Sequence, residues 1–192
     1  MTIAIFGGAF DPPHLGHLKI IKSLLDQEIA DEVWLVPTGV HDFDKQMALS
    51  EHRLQMLELL LDNLETSLKN SVKINKFELN STEVNQTYDT LQELAIQNPE
   101  EKLSWIMGAD NLAKFHLWDN YQQILSNYLV YIYPRPGYLM QPLYTGMIPM
   151  TGVEQTSISS TEIREYISSG DKAKLQLPLS IFEYIKKHQL YF

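Results

Sequence analysis

The segment TIAIFGGAFDPPHLGH, residues 2–17, decides how this sequence is interpreted. Residues 2–6 form a short apolar run typical of a buried strand, and from Leu15 onward the apolar residues recur at helical spacing. Between the two, Gly7 and Gly8 allow the backbone to turn sharply and to approach a ligand closely. The helix that follows presents unpaired amides and the positive end of its dipole. The segment therefore predicts an anion-binding turn between a strand and a helix.

This turn is neither of the two common phosphate motifs. The glycine pattern GxGxxG is interrupted by FDPP, residues 10–13, and the GK[ST] ending of a P-loop is missing. Instead, His14 and His17 lie three residues apart, on one face of the first helical turn. Gly16 between them removes a side chain that would crowd a ligand. Imidazoles aimed at a phosphate donate hydrogen bonds and, when charged, stabilise a transition state that gains negative charge.

Two other interpretations of the histidines stay open. His17 is in phase with Ile21 and Leu24, so either histidine alone is better explained as a core residue. A zinc site is the second alternative, although no third ligand follows at an evident spacing. The occurrence of both histidines together at a glycine-rich turn favours a functional role over these alternatives.

Beyond this segment, β-branched and aromatic runs alternate with helical periodicity, which predicts an α/β fold around a mostly parallel sheet. Ser159, followed three residues later by Glu162, is a capping box that starts a helix, and Ser50 is a second candidate N-cap. In such a sheet, ligands bind outside the carboxyl ends of the strands. The predicted strands are residues 2–6, 31–37, 72–79, 103–107, 128–133 and 147–150. The predicted helices are one from Ser50 with the stripe Leu54, Leu57, Leu61 and Leu64, then residues 88–97, 159–170 and 179–188.

Composition limits the classes of partner. The 192 residues, 44% hydrophobic, suffice for one core. A net charge of −9 argues against extended nucleic acid, because such binding needs many cations against phosphates. With no cysteine there is no disulfide or thiolate metal site. No apolar run reaches about 18 residues and the first strand leaves no room for a leader, so we expect no membrane partner and a cytoplasmic location.

A small anionic ligand stays compatible with this charge, because a pocket needs only a few local cations. The chain has three arginines, Arg53, Arg135 and Arg164, and each lies beside a segment selected here on other grounds. Arginine suits bidentate contacts to phosphate or carboxylate better than lysine. This placement hints that the arginines serve a site, and chance placement is the alternative.

The motifs together resemble those of a known family. GGAFDPPHLGH, residues 7–17, resembles the GGxFDPxHxGH signature of the nicotinate and nicotinamide mononucleotide adenylyltransferases, a branch of the HxGH nucleotidyltransferases. The resemblance continues in the expected order through Trp118 and five segments: ALSEHRLQML (48–57), QTYDTLQEL (86–94), WIMGADNL (105–112), PRPGY (134–138) and ISSTEIR (158–164). It implies a Rossmann-like, doubly wound sheet with helices on both faces. It also implies one nucleotidyltransferase domain over residues 1–192, whose helices from about 159 complete the ATP site.

The resemblance implies roles for the ATP half of the site. His14 and His17 contact the ATP phosphates and stabilise the transition state without a covalent bond, and Arg164 binds the β,γ-phosphates. Asp110 accepts from the ribose hydroxyls, although it could also cap the next helix, and Ser159 could be an N-cap alone. The implied catalytic residues are His14, His17, Arg164 and Lys45. The implied ATP-binding residues are Gly7, Gly8, Phe10, Gly16, Gly108, Asp110, Ile158, Ser159, Ser160 and Thr161.

The implied acceptor half departs further from the family pattern. Trp118 matches the tryptophan that stacks on a pyridine ring, a favourable cation–π pairing, and Thr87 matches the neighbourhood of the pyridine substituent or is a helix N-cap. VHDFDK, residues 40–45, stands where the family usually has PPHK, and Gln86 stands where an aromatic residue is common. The implied mononucleotide-binding residues are Ala9, Lys45, Thr87, Trp118 and Arg135.

The expected reaction is transfer of AMP from ATP to nicotinate mononucleotide, giving deamido-NAD and pyrophosphate. The alternatives are nicotinamide mononucleotide as acceptor, another phosphorylated acceptor, and a nucleotide sensor without catalysis. TYDTL, GADN and ISSTEIR are of the bacterial type and favour nicotinate. We expect Mg²⁺ held through substrate phosphates and water, with no dedicated protein ligands. A homo-oligomer is compatible with the sequence.

Overall fold

The computed structural model describes residues 1–39, 47–154, 159–171 and 176–192. Its described residues form one parallel sheet of six strands in the order β3-β2-β1-β4-β5-β6. The strands are β1 (Thr2–Gly8), β2 (Glu32–Pro37), β3 (Val72–Ile74), β4 (Lys102–Gly108), β5 (Leu129–Tyr133) and β6 (Met147–Pro149). The order reverses between β1 and β4, so the crevice outside their carboxyl ends is where a ligand is expected. The predicted Rossmann-like class is confirmed, with every observed pairing parallel.

Helices cover both faces of this sheet. Strand residues alternate in direction: Ile3 and Ile5 pack on one face, and Ala4 and Phe6 pack on the other. The described helices are α1 (Leu15–Asp26), α2 (Ser50–Leu61), α3 (Thr66–Lys69), α4 (Phe77–Asn80), α5 (Thr87–Gln97), a 3₁₀ helix (Ala109–Leu117), α6 (Tyr121–Asn127), α7 (Ser160–Ser169) and α8 (Leu179–Lys187). A further apolar cluster joins α2, α7 and α8. None of the described helices has the length and apolarity that a membrane span requires.

The third strand is shorter than predicted. It ends at Ile74, and residues 77–80 form α4 instead of continuing the strand to residue 79. The cause is local: the Asn75 side chain accepts a hydrogen bond from the Phe77 amide at 2.9 Å, an Asx turn that starts a helix. This turn brings Glu78 inward, to 7% exposure.

The start and the buried face of α2 also differ from the prediction. Its N-cap is Leu49, which has no capping side chain. Ser50 accepts instead from the Arg53 guanidinium at 3.3 Å. The buried helix face consists of Arg53, Met56, Leu57 and Leu60, so Leu57 is the one member of the predicted leucine stripe that this face contains. Hydrophobic periodicity does not identify this face, because one of its buried positions is occupied by an arginine and not by an apolar residue.

Candidate active site

Three cavities meet at the carboxyl ends of β1, β4 and β5. One of them, named the histidine cleft, is lined by Phe6, Gly7, Gly8, Ala9, Phe10, Asp11, His14, His17, Met47, Asp110, Asn111, Tyr133, Arg135, Ser159, Ser160, Thr161 and Arg164. A second, named the tryptophan cleft, shares the end of β1 with the first and continues to Thr38, Glu78, Asn85, Gln86, Thr87, Trp105, Ile106, Met107, Gly108 and Trp118. A small side cavity adjoins the histidines and is lined also by Gly16, Ile20, Pro134, Val153 and Glu154.

The turn after β1 is close-packed and strained. A Cβ on Gly7 would lie 2.3 Å from the Trp105 ring, so only glycine allows the backbone to pass there. Phe10 has a φ of +49°, a left-handed conformation that is rare for a bulky side chain. Its buried ring is held between Phe6, at 5.7 Å between centroids, and His17, at 5.0 Å. Strain of this kind persists where the surrounding packing over-determines it, and it concentrates at functional sites.

The two histidines cap the same helix reciprocally. His14 is the N-cap of α1, and its Nδ1 accepts from the Gly16 amide at 3.1 Å. His17 Nδ1 accepts from the His14 amide at 3.0 Å, and the two ring centroids are 3.8 Å apart. Both Nδ1 atoms are acceptors, so each neutral ring carries its proton on Nε2. The expectation of unpaired amides at this helix start is wrong, because the amides of residues 14–17 all donate within the protein, among them Leu15 to the Gln176 carbonyl at 3.0 Å. The pair therefore offers its two Nε2–H groups as the donors of this turn.

The surroundings keep both rings neutral when no anion is bound. Burial and the nearby Arg135 lower the pKa of His14 to about 3. Burial, His14 and Arg135 together hold the pKa of His17 well below its ordinary value. A bound phosphate supplies the opposite charge and raises both pKa values. The pair can thus respond to charge that arrives or develops in the cleft.

A buried network ties this turn to distant parts of the chain. Arg53, 2% exposed, donates to the carbonyls of Ala48 at 3.1 Å and Ala9 at 2.9 Å. The Asp11 carboxylate accepts from the Ala48 amide at 3.2 Å and from the Tyr191 hydroxyl at 2.5 Å. Arg53 is therefore a structural support of the turn. Of the three arginines that we linked to a site, it is the one that does not line a cleft.

The start of α7 lines the histidine cleft together with the two histidines. The predicted capping box is present: Ser159 Oγ accepts from the Glu162 amide at 3.2 Å, and Glu162 accepts from the Ser159 amide at 2.7 Å. Ser160 donates to the Pro12 carbonyl at 2.9 Å, and Arg164 donates to the Asp11 carbonyl at 2.6 Å. The helix start and its guanidinium are thereby fixed against the turn, with Ser160, Thr161 and Arg164 facing the cleft.

Asp110 and Arg135 form an ion pair across the histidine cleft. The Arg135 guanidinium lies 2.8 Å from Asp110 Oδ2, and Asp110 Oδ1 is buried without a hydrogen-bond partner among the described residues. The alternative that Asp110 caps the next helix is wrong, because the 3₁₀ helix has Gly108 as N-cap and no side-chain cap. The acceptor capacity of this carboxylate is thus partly unused.

The tryptophan cleft is built from several elements. Trp118 ends the 3₁₀ helix, 5.3 Å from the Phe115 ring, and Thr87 is the first residue of α5. The alternative that Thr87 is an N-cap is wrong, since Gln86 occupies that position. Glu78 accepts from the Thr90 hydroxyl at 2.7 Å and from the Gly39 amide, and burial raises its pKa. This acid links the end of β2 to α5 at the floor of the cleft.

The structure brings the predicted site residues together from five parts of the chain. All those within the described residues line one of the three cavities, with Thr87, Gly108 and Trp118 in the tryptophan cleft and Gly16 in the side cavity. Arg135, predicted for the acceptor, lies in the histidine cleft and the side cavity. Lys45 and Ile158 lie outside the described residues.

Several lining residues were not among the predicted site residues, and they include Tyr133, Glu78, Asn85 and Trp105. The position of Tyr133 at a strand end next to PRPGY is a signal that could have identified it. Glu78 gave no such signal, because its inward direction depends on the Asx turn at Asn75.

The carboxylates of the histidine cleft do not form a metal-binding cluster. Asp11 is engaged by Ala48 and Tyr191, and Asp110 is paired with Arg135. Within the ranges that the structure covers, no three His, Asp or Glu side chains are grouped for a metal ion. The donors present suit a divalent cation that arrives on a polyphosphate and keeps its waters.

Known proteins resemble this chain over nearly its full length. The profile of the cytidylyltransferase-like family matches residues 5–166. A probable nicotinate-nucleotide adenylyltransferase of Oceanobacillus iheyensis is 33% identical over 190 residues, covering 98% of this chain and 96% of the relative. One of Salinibacter ruber is 30% identical over 196 residues, covering 100% and 98%. The nicotinic acid mononucleotide adenylyltransferase of Plasmodium falciparum, solved with NaAD, superposes with a TM-score of 0.84 at 23% identity, covering 99% and 97% of the two chains.

Proposed function

This chain belongs to the cytidylyltransferase-like family and, with its curated relatives, to the nicotinate-nucleotide adenylyltransferases, and on that premise we propose how its clefts perform the reaction. The enzyme transfers AMP from ATP to nicotinate mononucleotide, which yields deamido-NAD and pyrophosphate. One observation carries the assignment of the reacting centre: the reciprocally capped pair His14 and His17 presents two Nε2–H donors beside the junction of the two clefts.

In the proposed reaction, a phosphate oxygen of the mononucleotide attacks the α-phosphorus of ATP. The bond between the α-phosphorus and the oxygen bridging to the β-phosphate breaks, and that oxygen leaves with pyrophosphate. No proton transfer to the attacking atom is required, so catalysis consists of positioning and electrostatic stabilisation. His14 and His17 donate to the oxygens of the α-phosphate and its leaving group, and the added negative charge raises their pKa values as the transition state forms.

The pyrophosphate end of ATP lies against the start of α7. The free amides at Ser160 and Thr161 and the guanidinium of Arg164 face the histidine cleft, which suits the β,γ-phosphates. Mg²⁺ bound to these phosphates neutralises part of the leaving-group charge when present. Arg164 also donates to the Asp11 carbonyl, so its position does not depend on the ligand.

The acceptor lies in the tryptophan cleft. Its pyridinium ring stacks on Trp118, and the backbone near Thr87 faces the ring substituent. Its phosphate then reaches the histidine cleft past Ala9, which lines both clefts. We assign two cations to that phosphate. One is Arg135, and the other is Lys45, which lies outside the described residues. The proposal keeps the expectation of a cytoplasmic enzyme.

Steady-state pyrophosphate release with ATP and each mononucleotide in turn tests this function. We expect turnover with nicotinate mononucleotide and a clearly higher kcat/KM than with the nicotinamide form. A preference for the amide would overturn the acceptor assignment and leave the chemistry intact. ATP binding without pyrophosphate release for either acceptor would contradict the proposed function.

A further inference from the structure

Tyr133, the last residue of β5, occupies a place that the proposed reaction does not use. It lines the histidine cleft, the tryptophan cleft and the side cavity alike. Its ring packs edge-on against Phe6, with 6.0 Å between centroids, which fixes its direction. A tyrosine at the junction of three cavities has its hydroxyl available to whatever fills them.

The Tyr133 hydroxyl makes no hydrogen bond with any residue in the described ranges. A hydroxyl that lines a cleft and has no partner within the protein is free to donate to a bound ligand. Burial raises the pKa of Tyr133 to about 12. The phenol is therefore neutral at physiological pH and keeps its proton to donate.

An unused acceptor lies next to this unused donor. Both flank Gly108: a Cβ built on that glycine would lie 2.9 Å from the Tyr133 hydroxyl and 2.3 Å from Asp110 Oδ1. Asp110 Oδ1 also has no partner in the part of the chain that the structure covers. The two groups thus form a donor and acceptor pair above a residue without a side chain.

We propose that Tyr133 is a nucleotide-binding residue that donates a hydrogen bond to a ribose hydroxyl of ATP, beside Asp110, which accepts from the ribose. A ribose hydroxyl is both donor and acceptor, so a phenol and a carboxylate satisfy it together. A phosphate oxygen could accept a hydrogen bond from the phenol but has no proton to donate to the carboxylate. This inference rests on the proposed function, because it takes ATP as the nucleotide.

The test combines removal of the Tyr133 hydroxyl with removal of one ribose hydroxyl of the nucleotide, and compares the effects on binding. Dissociation constants of ATP, 2′-deoxy-ATP and 3′-deoxy-ATP are measured by calorimetry for the wild type, Tyr133→Phe and Tyr131→Phe. Tyr131 lies two residues earlier on the same strand and outside the three cavities, so it is the matched control.

We expect Tyr133→Phe to weaken ATP binding about five- to tenfold, as for loss of one neutral hydrogen bond. Binding of one of the two deoxy nucleotides should not weaken further, because the hydroxyl that Tyr133 contacts is then already absent. Tyr131→Phe should bind all three nucleotides as the wild type does.

Equal weakening of all three nucleotides by Tyr133→Phe would overturn the ribose contact, and so would unchanged ATP binding. The experiment measures nucleotide affinity in the absence of the mononucleotide. Its result therefore remains interpretable even if nicotinate mononucleotide is not the acceptor. Failure of the proposed function would appear separately, as wild-type ATP binding without pyrophosphate release.

Discussion

The histidine cleft and the tryptophan cleft share the end of β1 but are built differently. The histidine cleft is held by contacts from remote segments, among them Arg53 to Ala9 and Tyr191 to Asp11. The tryptophan cleft contains buried polar atoms that lack partners among the described residues, Asn85 Oδ1 and Trp105 Nε1. Among the described residues, the histidine cleft has one such atom, Asp110 Oδ1. A half braced by contacts from remote segments suits one fixed task, the handling of phosphates. A half with more unused hydrogen-bonding capacity suits recognition of a particular acceptor.

Removal of a histidine should have the largest effect and should affect turnover only. We expect His17→Ala to lower kcat about 10²–10³-fold, the size seen when a donor to a transition-state oxyanion is lost, with ATP affinity largely kept. His17→Asn retains an acceptor for the His14 amide but lacks Nε2–H, so it separates capping from catalysis. The exposed His116→Ala is the control. Near-normal kcat in both His17 variants would remove the histidines from the mechanism.

Substitution in the tryptophan cleft should affect the acceptor only. Trp118→Ala should raise the KM for the mononucleotide about ten- to thirtyfold through loss of ring stacking, while the KM for ATP stays unchanged. Trp118→Phe should recover most of the effect, because an aromatic face remains. Initial rates with each substrate varied in turn give both constants. A rise in the KM for ATP of the same size would mean that the two clefts do not divide the substrates as proposed.

Acid should destabilise the protein through the histidine cleft. The pKa values of His14 and His17 are lower in the folded than in the unfolded protein, so the unfolded state binds more protons below pH 6.5. The stability contributed by the neutral rings is therefore present above pH 6.5 and is lost as the pH falls below it, with the loss from His14 continuing towards pH 3, where its folded-state pKa lies. Urea unfolding at several pH values measures the slope. His14→Asn keeps a capping side chain and should reduce the slope. An unchanged slope would show that His14 does not contribute to the pH dependence.

The smallest effect should come from the C-terminal contact of the histidine cleft. Tyr191→Phe removes the hydroxyl that donates to Asp11 and should lower the free energy of unfolding by about 1–2 kcal/mol, with a modest rise in the KM for ATP. Tyr184→Phe is matched, because it loses a 2.8 Å contact to His52 outside the clefts and should leave the KM unchanged. Equal KM values in the two variants would mean that Tyr191 supports stability alone.

Short-range signals predicted much of the fold and of the phosphate half. The strand, the glycine turn and the histidine helix lie within residues 2–17, and the Ser159–Glu162 capping box spans four residues. These features depend on neighbours in sequence, so local chemistry identifies them.

Contacts across the chain explain what was missed. Arg53 is buried because Ala9, 44 residues away, supplies a carbonyl for it, and no pattern in α2 reveals that partner. Glu78 faces the tryptophan cleft only because Asn75 ends β3 early. The placement of Tyr133 beside Gly108 depends on the pairing of β4 with β5. Each of these placements depends on the tertiary structure, so the hydrophobic periodicity of the sequence does not reveal it.

Transfer of label from ATP tests the central claim most directly. With nicotinate mononucleotide present, label on the α-phosphorus should appear in deamido-NAD and label on the γ-phosphorus in pyrophosphate. Protein quenched during turnover should carry neither, because the histidines only donate hydrogen bonds. Label bound to the protein, or α-label released as free AMP, would contradict direct transfer between the two clefts.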